Sequence, residues 1–351
     1  MLATATLLTM ALAGNVQAAE IRSVGPDGEA AVDASTIELT DDQIAQIKEG
    51  GYTAAICLHY GGNDWSTSQQ KGLEDTFGEL GIEIVAVTDA NFSAETQVSN
   101  IETVMAKKPD ILVSIPTDAT ATADAYKQAA AAGIKIVFMD QRANGLEAGK
   151  DYVSVVSADN YGNGYASGTV LGDALGGKGK VAMVYYDANF APTNQRDEGF
   201  RDAMKNYPDI EIVTEQGFTD ESGCAEQGDA ILTQFPNIDG IYASWDVPME
   251  GVLSAVRAAG MEGKVTLACN DLGNNVAREI ASGNIAGGGA QMPYDQGVAE
   301  AKLAALALLG EETPSYVAVP AETVTHENVL EAYTDVYHVE TPDWLKEAYV
   351  D

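Results

Sequence analysis

Positive charge is scarce in this chain: 19 Lys and Arg residues stand against 53 Asp and Glu, a formal net charge of −34. A molecule so charged repels nucleic acid and anionic membrane surfaces at long range, which argues against both as partners. The acidity itself is expected to be a solvated face rather than an acidic ligand-binding patch. Histidine and cysteine are nearly absent. His59, His326 and His338 form no H-x₃₋₅-H pair, and Cys57, Cys224 and Cys269 show no metal-ligand spacing, so neither a zinc site nor a cofactor is expected. Cys57 and Cys269 fall inside apolar runs and are expected to be core thiols. A catalytic constellation is missing as well. The nearest approach to a nucleophile elbow, GYASG at 164–168, has its Ser one place too late for G-x-S-x-G.

Long apolar runs are also lacking. Beyond the first nineteen residues, no segment approaches the ~18 apolar residues of a membrane span. Those nineteen, MLATATLLTMALAGNVQAA, have an apolar centre and then Val16-Gln17-Ala18, a small-x-Ala cleavage pattern. They are expected to be a secretory signal without the usual basic start, cleaved near Ala18-Ala19, with a short buried helix as the alternative. No Cys follows the cleavage site to carry a lipid anchor. What is present is 351 residues, 46% of them hydrophobic, enough for one large domain or two ordinary ones with real cores.

The apolar runs are short and regular. Strand-like segments are expected at 52–58, 82–87, 110–115, 134–139, 152–156, 180–186, 210–214, 238–243, 264–269 and 284–290. Helical spacing separates most of them, as in Leu73/Phe77/Leu80, Val98/Ile101/Met105 and the Ala-rich 119–132. Such alternation means right-handed βαβ units and parallel sheets. The pattern is written twice. QKGLEDTFGELGIEIVAV (70–87) parallels RDEGFRDAMKNYPDIEIVTE (196–215), and AAAAGIKIVFMD (129–140) parallels AAGMEGKVTLACND (258–271). The expected fold is therefore α/β, with two similar doubly wound parallel-sheet lobes and a cleft between them. Residues 20–51 stand outside the repeat, and LTDDQIAQIKEGG within them reads as one capped helix ending on Gly50-Gly51.

Ligands of open parallel sheets sit beyond the carboxyl ends of strands. The residues that end these runs include Asn63 and Trp65, Pro116 to Asp118, Asp140 with Gln141 and Arg142, Asp187 to Asn194, Phe218, Trp245 with Asp246, Asn270 with Asp271, and Gln291. The stretch ICLHYGGNDWSTSQQKGL (56–73) has the strand, Gly turn and helix start of a phosphate loop. It lacks both G-x-G-x-x-G and G-x-x-x-x-G-K-[ST]. Amides and carboxylates that pair with hydroxyls, and rings that cover a C–H face, suit an uncharged polar ligand such as a carbohydrate better. The plain alternatives are a simple Gly-rich turn, a core Trp245, an Arg196 paired internally, and Asp140 or Asp271 as helix caps.

In this order and spacing, several pieces together resemble the type I periplasmic sugar-binding proteins, the ribose- and galactose-binding group that feeds ABC importers. They are Asn63-Asp64-Trp65 with Gly72, PTD at 116–118, Met139-Asp140, SADN at 157–160, R-x-E-G-F at 196–200, Trp245-Asp246, Asn270-Asp271, and AQMP followed by Gly297. The resemblance runs from about residue 52 to about 325. It implies lobes made of 52–158 with 292–322 and of 159–291 with 323–351, joined by a multi-strand hinge near 157–160, 290–293 and 320–323. It carries ligand contact to Asn63, Trp65, Asp140, Asn194, Phe218, Asp271 and Gln291, with Arg196 as a structural or ligand-facing arginine. His59, Gln141 and Trp245 stand where the ribose pattern has other residues, as does Ile115, so a different sugar or a polyol is expected. The implied protein is a periplasmic monomer, not an enzyme, that delivers its ligand to an ABC transporter permease. A sensory receptor subunit of the same fold, a repressor of that fold, and a carbohydrate-active enzyme using Asp140 and Asp271 are the alternatives; charge and leader oppose the repressor.

Overall fold

In the computed structural model, which describes residues 21–350, two parallel sheets are built one after the other and then completed together by the end of the chain. The first part runs β1 (Val32–Asp33), α1 (Asp41–Gly50), β2 (Thr53–Leu58), α2 (Asp64–Glu79), β3 (Glu83–Asp89), α3 (Ala94–Ala106), β4 (Ile111–Ser114), α4 (Ala123–Ala131), β5 (Lys135–Met139) and β6 (Ser154–Ala158). The second runs α5 (Asn160–Ala174), β7 (Lys178–Tyr186), α6 (Ala191–Met204), β8 (Asp209–Phe218), α7 (Cys224–Gln234), β9 (Gly240–Ala243), α8 (Asp246–Ala258), β10 (Thr266–Cys269), α9 (Asn274–Ala281) and β11 (Gly287–Ala290). The remainder is α10 (Pro293–Leu308), β12 (Tyr316–Val319), β13 (Glu322–Thr325), α11 (Val329–Tyr337) and α12 (Asp343–Ala348). All ten expected strands are present. The leader expected over 1–19 lies outside the described residues.

The first sheet has the order β1-β12-β6-β5-β4-β2-β3 and the second β13-β11-β10-β9-β7-β8. Strip the first of β1 and β12 and the second of β13, and the two orders superpose strand for strand. Even a register shift recurs at the equivalent pair, at Ala54/Ala55 between β2 and β3 and at Val181/Ala182 between β7 and β8. One strand breaks the parallel rule: β13 runs antiparallel to β11 at the edge of the second sheet. Apolar residues alternate onto both faces, so each sheet is buried on two sides, as parallel sheets require. The chain crosses between the sheets three times, at 158–160, 290–293 and 319–322.

Residues 21–51 are part of the first sheet's body rather than an appendage. β1 pairs in parallel with β12, and α1 is capped as its sequence implies, by a Thr40/Gln43 capping box at one end and left-handed Gly51 (φ 62°) at the other. The segment before β1 clasps the first crossing: the Arg22 and Ser23 N–H groups donate to the Asp159 carboxylate at 2.9 and 2.8 Å, and the Arg22 guanidinium lies 4.0 Å over the Tyr165 ring.

Within each body, two helices approach through glycine. A Cβ on Gly72 of α2 would sit 2.2 Å from the Tyr294 carbonyl oxygen at the start of α10, and one on Gly297 of α10 would sit 2.3 Å from that of Gln69. In the second body, a Cβ on Gly199 of α6 would sit 2.1 Å from the Tyr161 oxygen on α5, and one on Gly164 would sit 1.8 Å from the Arg196 oxygen. GYASG therefore lies mid-helix as a packing surface, not a nucleophile elbow. These contacts fix α2 and α6, whose N-terminal turns face the cleft.

Candidate functional site

The strand ends of the two sheets face a cavity lined by residues from both bodies. The sheet equivalence puts matching acids on its two sides. Asp140 follows β5 and Asp271 follows β10, and both adopt the left-handed conformation, with φ of 53° and 70°. Each sends its backbone N–H to the next strand, Asp140 to the Val156 oxygen at 2.7 Å and Asp271 to that of Gly289 at 2.8 Å. Neither caps a helix. A non-glycine residue pays for that backbone only where its surroundings hold it, and such positions concentrate at ligand sites.

Three neutral donors converge on one oxygen of Asp140: Ser157 Oγ at 2.9 Å, Gln296 Nε2 at 3.3 Å and the Ala158 N–H at 3.4 Å all reach Oδ1. Burial raises its pKa, opposed first by Arg196. Asp271 is held differently, by Arg196 Nη1 on Oδ2 at 3.2 Å and by Gln291 Nε2 on Oδ1 at 2.8 Å. Arg196 also donates from Nε to Asn160 Oδ1 at 2.8 Å and from Nη1 to the Ser244 carbonyl at 3.3 Å. Burial works against its charge, but Asp271 and then Asp140 outweigh that and keep its pKa above the ordinary value.

The walls are aromatic. From the first body come His59, Tyr60, Trp65 and Phe92, and from the second Tyr186, Phe190 and Trp245. The two sets touch: His59 stacks on Phe190 at 5.6 Å between centroids, and Phe92 lies 6.3 Å from Tyr186. His59 is buried among rings with no counter-charge, and burial drives its pKa down to about 3, so it serves as a neutral ring. Trp245 donates from Nε1 to Glu221 Oε1 at 2.8 Å, while Trp65 Nε1, His59 Nδ1 and Gln291 Oε1 are buried with no partner. Unmade hydrogen bonds of this kind are costly, and these three belong to residues of the lining, where a polar ligand supplies partners; other partnerless atoms, such as those of Asn163 and Glu300, lie away from it.

Of the residues singled out by sequence, His59, Asn63, Trp65, Asp140, Arg196, Trp245, Asp271 and Gln291 line the cavity. Three do not. Gln141 turns away because Asp140 before it is left-handed, and its amide instead bridges the bodies, donating to the Pro116 carbonyl at 2.8 Å and accepting from the Ala191 N–H at 3.2 Å. Asn194 is exposed: on α6 the cavity-facing positions are 192, 193 and 196, and residue 194 lies on another side of the turn. Phe218 is buried behind the wall, 5.1 Å from the Trp245 ring and 5.6 Å from Tyr186. Asn63 has a second duty as the N-cap of α2, its Oδ1 accepting from the Ser66 N–H at 2.7 Å. Trp245 belongs to the core and the cavity at once. Tyr60, Phe92, Ile115, Tyr186, Phe190, Pro192, Thr193 and Asp246 complete the lining.

The periplasmic binding protein domain model matches residues 54–312, more than half of the chain. The chain belongs to the periplasmic binding protein family. It is similar to the D-ribose/D-allose-binding protein of Pseudomonas aeruginosa, 29% identical over 273 residues, covering 75% of this chain and 83% of that protein. Two solved ABC transporter solute-binding proteins share its fold. One, from Actinobacillus succinogenes with bound D-allose, is 29% identical with a TM-score of 0.73, over 79% of this chain and 99% of that one. The other, from Agrobacterium vitis bound with α-D-tagatopyranose, is 25% identical with a TM-score of 0.76, over 83% and 100%. Family membership accounts for the doubled sheet order and for a cavity that both lobes line.

Proposed function

We propose that this protein captures a monosaccharide or polyol between its lobes, outside the cytoplasm, and presents it to the permease of an ABC importer. The observation that carries this reading is the cavity itself: paired acids from equivalent strand ends, aromatic walls from both lobes, and buried polar atoms that lack partners. Sugar hydroxyls donate and accept at once, which suits Trp65 Nε1, Gln291 Oε1 and the carboxylates together. Relatives whose names and bound ligands are ribose, allose and tagatose support the ligand class. Ile115 and Trp245 in the lining replace polar contacts with apolar surface, which favours a ligand other than ribose.

The moving bodies are 52–158 with 292–322, carrying 21–51 with them through β1, and 159–291 with 323–351, and the protein works as a monomer by binding alone, without covalent chemistry. Its periplasmic site rests on the leader, and the N-terminal sequence of the exported protein tests that by starting near Ala19. Thermal-shift measurements against pentoses, hexoses and polyols test the ligand class: a true ligand at 100 times its Kd adds about 2.7 kcal/mol of stability. A panel without a single shift would overturn the reading.

A further inference from the structure

The charges around the cavity do not balance. Asp140, Asp246 and Asp271 line it against one cation, Arg196. Arg196 is committed to Asp271, and Asp140 has three neutral donors and the field of Arg196. Asp246 has one neutral donor and no ion pair: it is 7% exposed, and its Oδ1 accepts from the adjacent Val247 N–H at 2.9 Å. Burial, and then the acids Asp271 after β10, Glu250 on its own helix and Asp64 from α2 of the other lobe, raise its pKa well above the ordinary value, with the Tyr337 hydroxyl of α11 nearby. A carboxyl so placed keeps its proton until a cation faces it.

A second observation points the same way. Asp246, Asp271 and Gln291 follow β9, β10 and β11, three neighbouring strands spaced about 4.8 Å apart. Gln291 is 3% exposed, its Nε2 is used on Asp271, and its Oε1 has no partner. This side of the cavity is therefore a row of acceptors in want of donors. Beside it stand the Trp245, Tyr186, Tyr60 and Trp65 rings, whose faces attract cations.

We propose that the ligand is an amine-bearing sugar or polyol whose ammonium group sits against Asp246, and that Asp246 selects it over the neutral analogue. This rests on the sugar reading above and narrows it. An ammonium offers three donors and no acceptor, which matches a wall made of acceptors, and it restores the missing positive charge. A hydroxyl supplies one donor and leaves the charge unbalanced.

Isothermal titration calorimetry at pH 7 tests this with matched pairs: D-glucosamine and D-glucose, D-galactosamine and D-galactose, D-mannosamine and D-mannose, 1-amino-1-deoxysorbitol and sorbitol. In at least one pair the amine binds tenfold or more tightly than its neutral partner, and N-acetylation of that hexosamine, or N-acetylation of the aminopolyol, removes the gain. Asp246→Asn melts cooperatively and binds the two members of that pair equally. Equal or tighter binding of every neutral member overturns the proposal, as does a preference that survives in Asp246→Asn. Binding of neutral sugars alone sinks the amine while the sugar reading stands, and silence across amines and neutral sugars sinks both.

Discussion

A histidine enclosed by Tyr60, Trp65, Phe92 and Phe190 has nothing to pair with a proton, and its pKa near 3 ties stability to pH. The unfolded chain takes up that proton near pH 6.5 and the folded chain only near 3, so this contribution is intact above 6.5. It is lost by about 1.4 kcal/mol per unit as pH falls toward 3. Asp197 works the other way. Burial raises its pKa to about 6, so the folded state takes that proton first and gains stability as pH falls below 6. The difference between wild type and His59→Asn isolates the histidine: in urea unfolding, the wild-type advantage shrinks by about 2 kcal/mol between pH 7.5 and pH 5. A gap independent of pH would show that His59 titrates alike in the folded and unfolded chain, and overturn its role as a neutral buried ring. The two cavity tryptophans separate in the same spirit. Trp65 is half-buried with a free Nε1, so Trp65→Ala weakens sugar binding by about 2 kcal/mol and leaves the melt nearly unchanged, whereas Trp245→Ala also costs roughly 3 to 5 kcal/mol of folding energy. Calorimetry and thermal melts on both variants check this. The sequence announces Asp140 and Asp271, because an acid that ends a buried apolar strand is conspicuous. It does not announce Phe92, which reaches the cavity from a turn whose Asn91 and Phe92 both have positive φ, and it offers Phe190 only as one of the run 187–194, with no periodic signal to single it out.

Helix pairing is where motif and packing meet. R-x-E-G-F makes sense only once α6 lies on α5: Arg196 reaches the cavity, Gly199 admits the Tyr161 backbone, and Phe200 stacks on Tyr242 at 4.1 Å. Gly199→Ala forces the two helices apart, since backbone rather than a flexible side chain is in the way. It should cost roughly 3 kcal/mol in urea unfolding and also lower ligand affinity, because Arg196 moves with its helix. Full stability in that variant would mean the close approach is unimportant. Ten strands and α1 are legible because each carries a complete local signal, apolar run or cap. β1 is only two residues long, and β12 and β13 follow one another across a lobe crossing with no helix between them. Their pairing is decided by distant partners, so no local pattern reveals it. Nor does hydrophobicity distinguish the antiparallel β13 from a parallel edge.

At the scale of the molecule, the lobes are held together across the cleft mouth. Asp64 at the start of α2 accepts from the Asn274 N–H at 2.7 Å and from Asn274 Nδ2 at 2.8 Å, and the Tyr60 hydroxyl approaches Glu221 Oε1 at 3.5 Å. This is a closed arrangement, and hinge rotation must open it to admit a ligand. Small-angle scattering should show a larger radius of gyration without sugar than with it; equal radii at saturation would sink hinge closure. Asp64→Ala removes two hydrogen bonds made only when closed, so calorimetry should show affinity falling about tenfold, on the order of 1.4 kcal/mol, with an unchanged melting temperature for the free protein. The double crossing back at the end of the chain has another consequence, for the order in which the molecule comes into being. β12 lies between β1 and β6 in the first sheet, yet the ribosome makes it only after the whole second lobe through β11. The first lobe to be synthesised thus cannot finish until nearly the last, and no single cut in the chain releases either lobe whole.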